Sequence, residues 1–277
     1  MDILFYILAG ISALAMLLAV VYVILIFPAQ KKPAVSKRLH KAMYAHRGYH
    51  NKEGFVYENT LEAFELAVQK GFGIEFDINL SKDKQPVIMH DDSLKRMCGV
   101  DVKISESLYD DIKDININDS DSTIPHLSNV LSVVDGKVPL LIELKTVGDN
   151  YCELCEAVFE LLDGYNGDFS IESFDPRVLV WLKKHRPSVT RGQLSCFIST
   201  KSTHGKRAIL LRNLMMNFMA KPHFVAYRFK DRSNFSFKLN KLFGAQIYYW
   251  TIKNKNDAKK AISENGAIIF EAFDPID

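Results

Sequence analysis

The sequence predicts an α/β domain built on a parallel β-sheet and preceded by one transmembrane helix. Short β-rich runs alternate with helical patterns from residue 42 onward, which is typical of a parallel sheet covered by helices. Eight such strands closing on themselves form a (β/α)8 barrel, and 277 residues are enough for one. Before the domain, residues 3–27 carry no charge and exceed the ~20 residues that a helix needs to cross a bilayer.

The chain divides into three predicted parts: a transmembrane anchor at residues 1–30, a basic juxtamembrane linker at 31–41, and the barrel at 42–277. A cleaved signal peptide would begin with a basic region and have a shorter apolar core, whereas Asp2 is the only charged side chain before the span. A retained single-pass anchor is therefore predicted. The linker carries only positive charge, so the positive-inside rule predicts an outside N-terminus and a cytoplasmic catalytic domain.

Strands and helices are assigned in chain order from their hydrophobic periods. The predicted strands are 43–46, the run around Glu75, 87–89, 140–145, 169–172, 193–198, 224–227 and 245–250. The first helix has Asn59 or Thr60 as its cap and ends before Gly71. The later predicted helices are 151–162, 176–184, 208–219 and 256–263.

Carboxylates interrupt two of these apolar strands. Residues 74–78 alternate apolar and polar side chains, so Glu75 and Asp77 project from the same face. Glu143 and Lys145 share a face in the run 140–145 in the same way. Because an unpaired charge inside such a run is costly, these carboxylates require a partner, and a bound cation together with Lys145 would supply one.

The order of the polar motifs resembles that of the glycerophosphodiester phosphodiesterases, over roughly residues 42–270. The motifs that carry the resemblance are Ala45-His46-Arg47-Gly48, Glu58-Asn59-Thr60, Glu75-Phe76-Asp77, Lys82-Asp83, His90-Asp91, Ile142-Glu143-Leu144-Lys145, Ser173-Phe174-Asp175-Pro176 and Trp250-Thr251. Two departures stand out: Tyr57 replaces the usual Pro, and residues 270–275 replace the closing Thr-Asp-x-Pro. They affect the shape of the substrate pocket and leave the chemistry intact.

The resemblance implies a TIM barrel in which residues 91–137 form a small inserted subdomain beside the active site. It implies hydrolysis of glycerophosphodiesters or lysophospholipids to glycerol 3-phosphate or lysophosphatidic acid and an alcohol. The implied site consists of His46 and His90 as general acid and base, Glu75, Asp77 and Glu143 as metal ligands, Arg47 and Lys145 on the phosphate, and Glu58, Asn59, Phe174 and Trp250 as possible supporting or substrate-contacting residues. Three carboxylates without cysteine suit one divalent cation, Mg²⁺ or Ca²⁺.

Charge patterning indicates a lipid partner. Residues 201–241 contain ten Lys or Arg and one acid, Asp231, interleaved with apolar residues of the helix predicted at 208–219. This segment is predicted to contact an anionic leaflet through Lys206, Arg207 and Arg212. The alternative is an ordinary barrel helix with solvated lysines. Nucleic acid is not expected as a partner, because no recognition motif accompanies the basic stretch.

Two other functions remain open at this point. A phosphoinositide-cleaving phospholipase could use a similar barrel, although the Glu-x-Asp and Glu-x-Lys pairs argue against it. A membrane-tethered binding protein that has lost catalysis is the other alternative. The presence of both His46 and His90 argues against a pure binder, which has no need of two proton-transfer groups.

Overall fold

The computed structural model describes residues 2–51, 56–201, 205 and 207–276, and within them eight parallel strands close into a barrel. The barrel strands are β1 (Met43–His46), β2 (Gly73–Leu80), β4 (Leu140–Leu144), β5 (Phe169–Ser173), β6 (Thr190–Ser195), β7 (Phe224–Arg228), β8 (Gln246–Ile252) and β9 (Gly266–Phe270). A short strand, β3 (Pro86–Ile88), lies beside β2. The barrel closes because β1 pairs with both β9 and β2, which confirms the predicted TIM barrel.

Helices precede and connect the strands, and those between successive barrel strands cover the outside of the barrel. They are α1 (Asp2–Ile26), α2 (Ser36–Leu39), α3 (Leu61–Gln69), α4 (Lys95–Cys98), α5 (Tyr109–Ile112), α6 (Leu127–Val134), α7 (Tyr151–Leu162), α8 (Pro176–His185), α9 (Arg207–Arg212), α10 (Asn217–Ala220), α11 (Phe235–Leu242) and α12 (Lys255–Ser263). We call the end of the barrel formed by the carboxyl ends of its strands the mouth, and the other end the closed end.

The strand assignment from sequence was wrong in two places. The run at 87–89, taken as a strand of the parallel series, belongs to β3, which pairs antiparallel with β2 and lies outside the barrel. The eighth barrel strand is instead β9, a strand the sequence analysis did not assign. The tight turn at 81–85 explains the first error, because so short a connection joins antiparallel strands whereas parallel neighbours need a long crossover.

The predicted helix at 208–219 is two helices, α9 and α10. Leu214 adopts a left-handed conformation with φ of 56° between them, which ends the helical hydrogen-bond pattern. Asn217, at the start of α10, is fully buried and donates to Ile26 O at 3.1 Å and to Asn240 Oδ1 at 2.9 Å. The break in the helix therefore coincides with a buried amide side chain that bonds two other segments.

Two apolar layers hold the barrel. The outer layer joins the strands to the helices, with Phe64 and Phe76 among its largest members. The inner layer fills the barrel interior and consists of Tyr44, Leu141, Leu194, Phe224, Ala226, Tyr248, Ala267 and Ile269. Gly192 makes room for this layer, because a Cβ there would lie only 2.0 Å from the Phe224 ring.

Residues 91–137, together with β3, enclose a third apolar cluster of their own. Its buried members are Val87, Met89, Leu94, Met97, Ile104, Ile112, Ile117 and Ile124. The segment begins directly after His90, so its packing fixes the position of that histidine relative to β2.

Residues 28–42 lie across the closed end of the barrel. Ala29 N donates to Pro222 O at 2.9 Å, and Lys32 Nζ donates to Gly244 O at 2.8 Å. Each acceptor lies two residues before the start of a barrel strand, β7 or β8. Tyr44 Oη reaches Leu39 O at 2.8 Å from inside the barrel. The segment that composition describes as a basic linker is thus packed onto the domain.

Candidate active site

Three carboxylates converge inside the mouth half of the barrel. Glu75 and Asp77 point inward from β2, and Glu143 points inward from β4 at the same level as Asp77. The side chains are buried, with residue exposures of 2%, 1% and 6%. One oxygen of each lies within 4.8 Å of one oxygen of the others. The alternation of two adjacent strands therefore creates a compact, oxygen-only cluster.

The turn after β1 brings hydrogen-bond donors to this cluster. Arg47 adopts a left-handed conformation with φ of 59°, and its backbone N donates to Glu75 Oε2 at 2.9 Å. Its guanidinium donates to Glu58 Oε1 at 2.7 Å and lies 3.3 Å from Asp77 Oδ2. Such a backbone is uncommon for a residue other than glycine, and it aims both the amide and the side chain at the carboxylates.

Asn59 orients Asp77 and does not cap the first helix. Its Nδ2 donates to Asp77 Oδ2 at 2.9 Å, while Thr60 accepts from Ala63 N as the cap of α3. Of the two predicted caps, Thr60 is therefore the one used. Glu58 lies beside them and bonds both Arg47 and Arg96, at 2.7 and 2.8 Å.

Lys145 is the second cation of the cluster. Its Nζ lies 2.8 Å from Glu143 Oε1 and 3.1 Å from Asp77 Oδ1. Burial lowers the pKa of Lys145, but the two carboxylates more than offset this and hold it above its ordinary value. Burial and the neighbouring carboxylates raise the pKa of Glu75 well above its ordinary value, and burial raises that of Glu143 to about 7. With Asp77, the cluster places three carboxylates beside two cations, Lys145 and Arg47.

Each histidine is held by a carboxylate through its Nδ1 atom. His46 Nδ1 lies 2.8 Å from Glu271 Oε2, and His90 Nδ1 lies 2.6 Å from Asp91 Oδ1. His46 also places Nε2 3.9 Å from Glu75 Oε2. Burial lowers the pKa of both histidines, while Glu271 and Asp91 act to raise it. The two rings are therefore held in matching arrangements, each by one carboxylate at its Nδ1 atom.

Sequence reasoning missed two residues of this region. Glu271 was noted only as part of the altered closing motif, yet it bridges His46 and Lys253, whose Nζ lies 2.9 Å away. Glu172 points inward from β5 opposite Glu143, is 1% exposed, and its Oε2 has no hydrogen-bond partner among the described residues. A signal for Glu172 was available, because it is an acid within the buried run 169–173.

A groove of about 840 Å³ begins at Glu143 and Lys145. Phe174 lines it, and Trp250 meets Phe174 edge-on with ring centroids 5.8 Å apart. The groove is enclosed by the loops after β4 and β5 and by the segment containing α9 and α10. All the residues proposed from sequence therefore surround one end of the barrel interior, although Phe174 and Trp250 lie outside the charged cluster.

Residues 46–268 match the sequence profile of the Glycerophosphoryl diester phosphodiesterase family. The chain belongs to this family. A glycerophosphodiester phosphodiesterase of Caldanaerobacter subterraneus is 26% identical over 238 residues, covering 79% of this chain and 88% of that protein. Lysophospholipase D GDPD1 of Homo sapiens is 31% identical over 169 residues, covering 56% of this chain and 52% of that protein.

Among solved structures, a phosphodiesterase of Oleispira antarctica in complex with the product sn-glycerol-3-phosphate superposes with a TM-score of 0.70 at 24% identity. It covers 85% of this chain and 94% of its own. That likeness establishes the shared barrel. The family match makes this chain a phosphodiesterase of the glycerophosphodiester class.

Proposed function

We propose that this phosphodiesterase hydrolyses glycerophosphodiesters or lysophospholipids with the help of one divalent cation, Mg²⁺ or Ca²⁺. The products are glycerol 3-phosphate or lysophosphatidic acid, together with an alcohol. One observation carries the proposal: three buried carboxylates, Glu75, Asp77 and Glu143, converge beside two histidines, each of which is held by a carboxylate of its own.

The residues present fit a divalent cation. Glu75, Asp77 and Glu143 would hold it, because their oxygens approach within 4.8 Å of one another and all three side chains are buried. Oxygen-only ligation suits Mg²⁺ or Ca²⁺. When bound, the cation would add positive charge beside the phosphoryl oxygens of the substrate.

His46 and His90 exchange protons with the reacting groups. Because Nδ1 of each ring is bonded to a carboxylate, the proton-transfer atom of each is Nε2. One imidazole accepts the proton of the attacking hydroxyl or water, and the other donates to the leaving alcohol. The orienting carboxylates, Glu271 and Asp91, stabilise the protonated form of their histidine.

Arg47 and Lys145 bind the phosphate. Both reach the edge of the carboxylate cluster, with Arg47 3.3 Å and Lys145 3.1 Å from Asp77. Arg47 offers a planar fork of donors and Lys145 a compact charge, which are two complementary ways to bind phosphoryl oxygens. Glu58 and Asn59 support them, Glu58 by holding the Arg47 guanidinium and Asn59 by orienting Asp77.

We place the catalytic domain on the cytoplasmic side of a membrane. The helix α1 is long and apolar enough to cross a bilayer, and the positive charges that follow it favour an outside N-terminus. Protease treatment of sealed vesicles of known orientation tests this. The catalytic domain should be digested only in inside-out vesicles, and digestion in right-side-out vesicles would reverse the assignment.

The activity itself is tested with the full chain in phosphatidylcholine vesicles. Glycerophosphocholine and lysophosphatidylcholine are supplied with Mg²⁺, with Ca²⁺ or with chelator, and the products are identified. Turnover should disappear with chelator and return with one of the ions. Chelator-resistant turnover would remove the metal role of the carboxylates, and a cyclic phosphate product released from phosphoinositides would favour a phosphoinositide-cleaving enzyme instead.

A further inference from the structure

The direction of α1 relative to the barrel decides which end of the domain faces the membrane. Near its C-terminal end, Tyr22 stacks on Phe235 with centroids 6.4 Å apart and bonds Ser236 at 2.5 Å. One turn later, Phe27 contacts Phe243 with centroids 5.0 Å apart. Helix α11 runs from the mouth to the closed end, because it follows β7 and precedes β8. Helix α1 therefore runs alongside it in the same direction.

The rest of α1 extends past the mouth. Residues 3–21 are exposed throughout, and they precede the contact with the mouth end of α11. At a rise of 1.5 Å per residue they span about 28 Å, close to the ~30 Å hydrocarbon core of a bilayer. A membrane around these residues would begin at the level of Tyr22, beside the mouth.

Apolar side chains are exposed around the same end of the barrel. Phe235 is 66% exposed next to Tyr22, and Phe197, in the loop after β6, is 58% exposed. Ile209 and Leu210 of α9 are 41% and 38% exposed. Exposed aromatic and aliphatic side chains beside a membrane span are typical of contact with the bilayer interface.

Basic side chains accompany this apolar surface, and Arg207 and Arg212 both belong to α9. Lys206, the third residue that sequence analysis assigned to an anionic leaflet, lies outside the described residues. The basic residues of 28–42 lie instead at the closed end, away from the mouth.

The groove that begins at the active site has an apolar wall formed by the same helices. Leu210, Leu211, Met216 and Phe174 line it, and so do Glu143 and Lys145 of the carboxylate cluster. Its volume of about 840 Å³ falls within the roughly 300–1,000 Å³ of small-molecule sites. A small polar diester has no need of such a wall, whereas an acyl chain attached to the glycerol would bury against it.

We propose that this groove is an acyl-chain site, and that α1 holds the mouth against the leaflet so that a single-chain lysophospholipid enters from the bilayer. This inference rests on the proposed phosphodiesterase function and specifies its substrate. The phosphodiester would reach Lys145 and the carboxylate cluster while the chain remains along Leu210 and Met216. The opposite side of the acyl chain would contact the membrane.

The test compares two substrates that differ only in the acyl chain. The full chain is reconstituted in phosphatidylcholine vesicles, and kcat/KM is measured for glycerophosphocholine in solution and for lysophosphatidylcholine in the bilayer. The variant Leu210→Gln with Met216→Gln should lower the ratio of lysophospholipid to glycerophosphocholine turnover at least tenfold. The matched control is Leu242→Gln, because Leu242 is 77% exposed at the closed end, and it should leave the ratio within twofold.

The outcomes separate the two proposals. A wild-type chain that cleaves neither substrate with any ion contradicts the proposed function. A chain that cleaves glycerophosphocholine but not lysophosphatidylcholine overturns the acyl site alone. An unchanged ratio in the double variant also overturns it, as expected if a second copy or another protein covers the groove.

Fluorescence quenching tests separately whether the mouth of the barrel faces the bilayer. Phe197→Trp should gain fluorescence that brominated lipids quench, beyond the wild-type signal of Trp181 and Trp250. Leu242→Trp, at the closed end, should not. Equal quenching at both positions, or quenching only at the closed end, would reject a mouth that faces the bilayer.

Discussion

The two ends of the barrel interior differ although the same strands build both. On β1, Tyr44 is fully buried at the closed end, and two residues later His46 reaches the active site. On β4, Leu141 and Glu143 repeat this change from apolar to ionisable. One period-2 step along a strand therefore separates packing from chemistry, which lets each be altered without the other.

The two ends also differ in energy. At the closed end, Phe224 and Tyr248 pack with centroids 4.3 Å apart, and apolar burial stabilises the fold. At the mouth, burial and the neighbouring carboxylates raise the pKa of Glu75, and the cost of burying this group opposes folding unless a bound cation offsets it. The comparison predicts that substitutions at the mouth change activity and cation binding, and that those at the closed end change stability.

The largest effect on activity is expected from Asp77→Asn. The substitution keeps the size of the side chain but removes the charge of one proposed metal ligand, which lies between Lys145 and Arg47, so kcat should fall on the order of a thousandfold. Addition of Mg²⁺ or Ca²⁺ should raise the melting temperature of the wild type but not of the variant. The control Glu160→Gln, on the exposed face of α7, should behave as wild type. A full cation-induced rise in the variant would contradict the ligand role.

The converse substitution is Phe224→Ala at the closed end. The ring is fully buried against Tyr248 and fills the space left by Gly192, so its loss should cost about 3–5 kcal/mol of unfolding free energy. Urea denaturation measures the loss, and kcat per folded molecule should stay within about twofold. Leu242→Ala, an exposed change at the same end, should shift stability by no more than about 0.5 kcal/mol. A thousandfold loss of kcat in folded Phe224→Ala would show that the closed end determines activity as well as stability, and would contradict the comparison.

These two ends were predictable from sequence to different degrees. The inward carboxylates follow from local alternation, because strand periodicity fixes which side chains share a face. Pairing direction is not a local property, so β3 was placed in the parallel series and β9 was not assigned. The packing of 28–42 beneath the barrel could not be read from composition, because its hydrogen bonds go to backbone atoms near residues 222 and 244.

The roles of individual site residues also depend on contacts that local sequence patterns do not predict. Asn59 and Thr60 are both good helix caps, and only the approach of Asp77 from β2 decides that Asn59 bonds the carboxylate. Glu271 follows β9, so its contact with His46 depends on barrel closure between the first and last strands. Local sequence patterns cannot predict contacts between the first and last strands, because these contacts form only when the barrel closes.

A smaller effect is expected from Glu271→Gln. The amide can still bond His46 Nδ1 but no longer stabilises the imidazolium, so kcat/KM should fall about ten- to hundredfold. Because the carboxylate acts to raise the pKa of His46, its removal should lower that pKa. The limb of the pH profile that belongs to His46 should therefore move to lower pH.

The partner experiment is Asp91→Asn, which should move the other limb of the pH profile to lower pH through His90. The variant that moves the acidic limb identifies the general base, and the one that moves the basic limb identifies the general acid. Melting temperatures should stay near that of the wild type. A uniform loss of rate with both limbs fixed would assign these carboxylates a purely structural role.

The smallest effect is expected at Glu172, which pairs in register with Glu143, one of the three proposed metal ligands, but is not itself among them. Glu172→Gln keeps the shape of the side chain and removes one charge opposite Glu143, so affinity for Mg²⁺ or Ca²⁺ should fall about tenfold or less while kcat at saturating cation stays near wild type. Calorimetric titration measures the affinity. A loss of kcat as large as that of Asp77→Asn would instead make Glu172 a fourth ligand. In that case β5 would contribute to the chemistry of the mouth, as β2 and β4 are proposed to do.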